Sequence, residues 1–378
     1  MQSMNKTVQT FESGHVRIVS ARYEEESDYM PVQYPVSSSA LKPEGISWKE
    51  ISSAVFNGIP GIRAVMPRIT TMATLQESTI KHAILWGVYI EKETELNNWN
   101  YANRDNGLIE GRYPDSGANE CAVGTLFAQK TGLSVGDKIP LKTISAHFSD
   151  KLWSPVITGI FNFDYRKYDE NVIITDFERL ERLLNLGEGT QQLIIYADDE
   201  NHSQAIASMV QDILGEDNYI NDWKNNIWIV IQKSNDVIYM AAYLIFLIVA
   251  SFLIINTIAM IIHERIKEIG MMGCLGMSRS EIVKVFFFES LFLASIGASC
   301  GVFLGGVLTG ILSRFPVRLG DLYGNTINEI PVSTTVFFMF SFKRLLMSWF
   351  AGVFIASIFT LIPVLKSAFV EPVEALRK

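Results

Sequence analysis

The run HERIK at 263–267 begins like a zinc-protease helix, in which His-Glu-x-x-His holds two imidazoles one turn apart around a metal. Lysine stands at 267, so the second ligand is lost and the metal reading fails. GASCG, Gly297 to Gly301, has the Gly-x-Ser-x-Gly spacing of a serine nucleophile, but Ser299 lies inside a continuous apolar helical run, not at a strand-to-helix turn. A serine protease working inside a membrane would need a histidine base at that depth. His15, His82, His147, His202 and His263 all fall outside the apolar runs. Glu289 lies within one of those runs. A proton relay would need a second buried titratable group, which the runs lack, so this intramembrane acid reads as a carboxylate that reaches or pairs at the interface. No Gly-x-x-x-x-Gly-Lys-Ser/Thr run occurs, so any ATP and Mg²⁺ used must be bound by another polypeptide. Cys121, Cys274 and Cys300 are too scattered for a disulfide framework or a thiolate metal site. The expectation is a non-enzyme with no catalytic residue, no metal and no cofactor of its own.

These residues must be positioned by something other than a soluble core. The 378 residues are 48% hydrophobic with a net charge of -8, too apolar for an ordinary soluble chain and too charged for a wholly embedded one. The absence of a Lys/Arg block excludes nucleic acid as a partner. Runs at 237–262, 285–312 and 345–365 each reach the roughly 20 residues needed to cross a hydrocarbon core of about 30 Å. Before about 235 the pattern changes to short β-rich runs such as GHVRIVS, AILWGVYI, PVITGIF, NVIITD and QLIIYA. Helical patterns at NECAVGTLFAQKTG, DFERLERLLNLG and NHSQAIASMVQDILG interrupt them, and LSVGDKIPL reads as a turn at Gly136-Asp137 followed by a strand. The expected architecture is an α+β domain over 1–235 and a helical membrane domain over 236–378, with a short β-like run, VSTTVFFMF, between its last two spans.

Arg265, Lys267, Arg279, Lys284, Lys366, Arg377 and Lys378 slightly outnumber the cations flanking the other ends of the spans, which favours a cytoplasmic 263–280 connection and a large domain outside. The first 18 residues contain no signal-peptide core. Export of the large domain therefore calls for a spanning helix upstream of Met1, or else for a reverse anchor in the first visible span.

The 263–280 connection is itself patterned. Ile262, Ile266 and Ile269 continue the first span as a helix with an apolar stripe, covered elsewhere by Glu264, Arg265, Lys267 and Glu268. Gly270, Gly273 and Gly276 are expected to break it, and Ser278 with Glu281 forms a capping box that starts the next helix near Arg279. A solvated hairpin would satisfy this pattern. So would a docking elbow for a cytoplasmic partner, which the exposure of Met271, Met272, Leu275 and Met277 suggests. In the middle span, Gly297, Gly301 and Gly305 lie four apart, as do Gly306 and Gly310, which permits close helix packing within or between subunits.

ERIKEIGMMGCLGMSRSEIVKVFFFESLFLASIGASCGVFLGG resembles the FtsX-like permease domain shared by LolC/LolE-type lipoprotein-releasing permeases and MacB-type exporters, with Cys274 at a position where alanine is commoner. PVLKSAFVEPVEALRK resembles the same family's closing motif. LIEGRYPDSGANECAVGTLFAQKTGLSVGDKIPL resembles its extracytoplasmic MacB-like domain, and FESGHVRI the start of that domain in the lipoprotein-releasing branch. The family has four spans where three are visible, in keeping with an upstream helix. The resemblance implies an elbow, Glu264 to Met277 with Gly270, Leu275 and Gly276, that docks on a dimeric ABC ATPase subunit. It further implies a second permease copy or homologue, and mechanical extrusion of a lipoprotein or other amphipathic substrate from a bacterial inner membrane with the large domain periplasmic. Export of drugs or peptides, or FtsX-like signalling to an outer-wall enzyme, are the alternatives.

Overall fold

The computed structural model describes residues 2–38, 40–41, 46–75, 80, 82–97, 107–315, 317–318, 335–336 and 340–368. The chain divides into two compact units, Met1–Gln232 with Arg318–Thr335, and Lys233–Val317 with Val336–Lys378.

Apolar runs bounded by turn residues become the strands of the first unit: β1 (Val16–Ser20), β2 (Ile62–Leu75), β3 (His82–Val88), β4 (Leu108–Gly111), β5 (Glu120–Gly124), β6 (Leu141–Ile144), β7 (Asp150–Trp153), β8 (Val156–Phe161), β9 (Val172–Asp176), β10 (Gln192–Ala197) and β11 (Asn218–Asp222). The sheet runs β11-β1-β10-β2-β3-β9-β5-β8-β4, with β6 pairing both β2 and β7. Most ladders are antiparallel, but β3 with β9 and β5 with β8 are parallel. Every residue of β9 and β10 is buried, which is why they read as unbroken apolar runs without alternation.

The long strand β2 is the shared spine. Its first half pairs β10, with Arg68 opposite Gln192, and its second half pairs β3, with Ile69 opposite Gly87. Each half carries its own core. Ile18, Ile51, Val55, Ile195 and Val210 fill one; Ile69, Leu85, Val123, Phe127, Ile173 and Leu180 fill the other.

The helices of this unit are α1 (Gln2–Thr7), α2 (Ala21–Glu25), α3 (Trp48–Gly58), α4 (Ile90–Asn97), α5 (Thr125–Thr131), α6 (Arg166–Asn171), α7 (Phe177–Leu184) and α8 (Ser203–Leu214). A π-helical turn, Val8–Ser13, follows α1 and ends at Gly14, whose φ of 59° and closeness to Ile194 both exclude a side chain. The expected helices over 177–184 and 203–214 form, with Asp176 accepting the Arg179 N–H at 3.2 Å as N-cap. The helix expected across NECAVGTLFAQKTG is corrected: Glu120–Gly124 is strand β5, and only Thr125–Thr131 is helical. Cys121, Ala122 and Val123 are completely buried, and a short run buried on both faces has no period that separates strand from helix.

The second unit comprises the helices α9 (Ile227–Glu264, whose first residues belong to the first unit), α10 (Ile266–Cys274), α11 (Arg279–Leu312) and α12 (Phe342–Ala368). α9, α11 and α12 through Leu365 are long and apolar enough to cross a membrane. They extend past the apolar runs at most ends, and α12 accommodates Pro363 in its last turns. Apolar side chains all around these helices, many of them exposed, mark lipid-facing surfaces. Of VSTTVFFMF, Thr335–Val336 is a two-residue strand, and 332–334 and 337–339 lie outside the described residues. The closing motif from 369 onward also lies outside them.

Candidate functional site

The elbow between α9 and α11 is built by three local devices. At Arg265 the backbone leaves helical geometry (φ -97°, ψ 14°), yet Arg265 N–H still donates to Ile261 O and Ile269 N–H to Arg265 O, both at 3.1 Å. The chain therefore bends there without losing its ladder. α10 then carries Ile269 and Gly270 inward, where Ile262, Ile269, Ile282, Phe286 and Val364 form a buried cluster. Gly276, at φ 95°, ends the helix in a left-handed turn: its N–H donates to Gly273 O and the Met277 N–H to Met272 O, both at 3.1 Å. That pair of bonds is a Schellman motif, and its apolar companions Met272 and Met277 pack on the buried cluster. One turn on, the Ser278 N–H donates to Glu281 at 2.8 Å and α11 begins at Arg279, as the Ser-x-x-Glu spacing predicts.

The expected elbow residues divide into two sets. Glu264, Lys267 and Glu268 are exposed, and Met271 on α10 and Leu275 at its C-cap are 55% and 85% exposed. Met272 and Met277, expected outside, turn inward. Gly270 and Gly273, expected to break the helix, lie within α10, because neither is required to adopt a positive φ. Only Gly276 terminates it.

Glu289, the intramembrane acid, accepts from Arg265 Nη1 at 2.8 Å, so the residue at the bend is tied to the third turn of α11. Among the described residues, nothing beyond their own helix backbone lies within 4 Å of where a Cβ would stand at Gly297, Gly301 or Gly305, whereas Gly306 faces Leu345 and Gly310 faces Phe340. Within this unit Gly306, and not the first trio, faces α12, while Gly310 faces the residue two positions before it. Ser299 donates to Ser295 O at 2.7 Å and accepts from Trp349 Nε1 at 3.0 Å, which is a helix-packing role. Among the described residues no group of three or more His, Cys, Asp or Glu could hold a metal.

Sequence reasoning missed a polar centre in the first unit. Arg68, 1% exposed, donates to Glu93 at 3.2 Å and to the Phe11 carbonyl at 2.8 Å, and its guanidinium lies 4.9 Å from the Trp86 ring centre. Burial would weaken its hold on a proton, but the Glu93 carboxylate more than restores it and the group stays charged. The one signal available was an arginine inside an otherwise apolar strand, MPRITTM.

Residues 240–372 match the family model described as FtsX-like permease C-terminal. LolC, the lipoprotein-releasing system transmembrane protein of Xylella fastidiosa (strain Temecula1), is 21% identical over 328 residues, covering 84% of this chain and 78% of that protein. The macrolide export ATP-binding/permease protein MacB of Nitrobacter winogradskyi is 26% identical over 147 residues, 39% of this chain and 20% of that protein. The periplasmic region of MacB from Actinobacillus actinomycetemcomitans gives a loose superposition, with a TM-score of 0.35 at 8% identity over 62% of this chain and 98% of that one. The matched segment contains the elbow and its flanking spans, so residues 240–372 carry an FtsX-like permease domain, and the chain is similar to ABC transporter permeases of the LolC and MacB type.

Proposed function

We propose that this chain is the permease subunit that converts ATP hydrolysis in a separate dimeric ATPase into release of lipoproteins from a bacterial inner membrane. It works by mechanotransmission, with the first unit in the periplasm. The observation that carries the reading is the elbow. An apolar knob of Met271 and Leu275, preceded along the chain by exposed Glu264, Lys267 and Glu268, stands at the end of a short helix whose other face is pinned to α11 by the buried cluster. Such a knob gives a partner an apolar anchor, and the pinned face turns its displacement into movement of a long helix. Lipoprotein cargo is favoured over drugs or peptides because the LolC match extends through both units, while the MacB sequence match spans a far shorter segment. The glycine face of Gly297, Gly301 and Gly305 is then the surface for a second permease copy or homologue.

The test is co-purification with the ATPase and measurement of lipoprotein release per ATP hydrolysed in nanodiscs. Leu275→Glu should abolish capture of the ATPase. Gly276→Val, which forces a β-branched residue into φ 95°, should leave capture measurable and lower release per ATP roughly tenfold by misplacing the elbow. Full coupling in both variants would refute the elbow's role, and crosslinking of a lipoprotein to the first unit would identify the cargo.

A further inference from the structure

Asn226 precedes α9 in the run WKNNIW, and both ends of its side-chain amide are engaged. Its Oδ1 accepts the Trp228 N–H at 3.0 Å, while the Val230 N–H donates to its carbonyl at 3.0 Å, the geometry of a helix N-cap. Its Nδ2 donates to Glu12 Oε2 at 3.2 Å. The other oxygen of Glu12 accepts from Tyr165 Oη at 2.8 Å and Lys167 Nζ at 3.4 Å. One carboxylate thus gathers donors from the start of the first membrane helix and from the edge of α6.

Glu12 is itself firmly held. It belongs to the π-helical turn Val8–Ser13, and the carbonyl of Phe11 next to it accepts from buried Arg68 at 2.8 Å and from Tyr168 Oη at 2.6 Å. Arg68 stands in the middle of β2, so Glu12 is two residues' reach from the spine of the sheet. A second seam runs alongside: Trp223 N–H donates to His15 O at 3.2 Å, and Val8, Trp223 and Ile229 form a small buried cluster.

We propose that Glu12 and Asn226 form a clasp that stays shut through the working cycle and makes the N-terminus of α9 move with the sheet of the first unit. The clasp rests on the reading of this chain as a mechanical coupler and adds the point at which the stroke of a membrane helix enters the outer sheet. A cap alone does not call for asparagine. Aspartate caps a helix equally well, but its carboxylate would face Glu12 with like charge and no donor. The choice of an amide is therefore the part of the device that a purely structural cap leaves unexplained.

The full chain in nanodiscs with its ATPase provides the test. N226D keeps the cap and opens the clasp; E12Q/N226D moves the donor to the other side and closes it again. Release per ATP hydrolysed should fall about five- to tenfold in N226D and return to within about twofold in the double variant. Hydrogen exchange of β1 and β10 with trapped nucleotide reads the transmission without reference to cargo, and N226D should lose a response that the wild type and the double variant show. A wild type that captures no ATPase overturns the coupling reading. A responding wild type beside an equally responding N226D overturns the clasp alone. Exchange in the first turn of α9 should also quicken in N226D and slow again in E12Q/N226D, and equal rates in all three chains refute the clasp whether or not an ATPase binds.

Discussion

Among the arginine–glutamate pairs of this molecule, one from each unit can be set side by side because their surroundings are opposite. Arg68 and Glu93 are 1% and 0% exposed, with Tyr196 Oη donating to Glu93 at 2.8 Å. Arg265 and Glu289 are 43% and 42% exposed, on helices that meet at the elbow. In the first case two charges have been taken from water and each depends on the other, so removing one leaves an uncompensated buried ion. In the second, either partner can turn toward the interface when the other is lost. The same chemistry is thus a fixed structural element in the sheet of the first unit and an adjustable strut in the second.

The largest effect expected from that contrast is on the buried pair. Glu93→Ala should lower the unfolding free energy of the full chain in detergent by about 3–5 kcal/mol, followed through tryptophan fluorescence. Arg68→Met with Glu93→Leu should recover part of it. Recovery should stay incomplete, because Arg68 also satisfies the Phe11 carbonyl of the π-helical turn. A cost below about 1 kcal/mol for Glu93→Ala would mean that the pair is as replaceable as a surface one.

A buried carboxylate that pairs with no cation among the described residues sharpens the same point. Asp169 accepts the Phe163 N–H at 2.8 Å, but burial, aided by nearby Asp164, pushes its pKa up to about 7 from 3.8. A raised folded-state value means that the unfolded chain gives up its proton first. The contribution of this group is therefore full below about pH 4, is lost as pH rises toward 7, and is level above that. Asp169→Asn keeps an oxygen for Phe163 and removes the titration. The variant should exceed the wild type in unfolding free energy by roughly 2–4 kcal/mol at pH 8 and match it near pH 4. A difference that does not change with pH would show that the carboxyl is solvated.

How much of this could be read in advance follows from how local each feature is. The spans and the Ser278–Glu281 cap depend on residues within a turn or two of one another, and both are present, whereas the helix expected to run on from α9 is interrupted at Arg265. Which glycine ends α10 was not legible, because Gly270, Gly273 and Gly276 are alike until backbone angles distinguish them. Strand β5 was misread because a run buried on both faces loses its period. The pairing of Arg68 with Glu93 and of Glu12 with Asn226 was invisible: the partners lie 25 and 214 positions apart, and no sequence pattern records such contacts. The partner of Glu289 was missing for the same reason, since 24 positions and a reversal of the chain separate it from Arg265.

The smallest effect on stability, and the most informative about function, belongs to that last pair. Glu289 follows the start of the apolar run at Val285 by four residues, about 6 Å along the helix, so headgroup water lies within reach of a freed side chain. Glu289→Gln should therefore lower stability by no more than about 1 kcal/mol. Its cost should appear in coupling, because Arg265 marks the bend between α9 and α10 and Glu289 is the contact that fixes the bend against α11. Release per ATP should fall several-fold in Glu289→Gln with hydrolysis preserved, and the exchange of charges in Arg265→Glu with Glu289→Arg should restore it. If Glu289→Gln instead unfolds the chain as readily as Glu93→Ala, the two pairs do the same structural work and the contrast between the units fails. If it changes neither stability nor coupling, the bend is held by the Ile262, Ile269 and Phe286 cluster alone, and the strut reduces to a neutralised charge at the membrane edge.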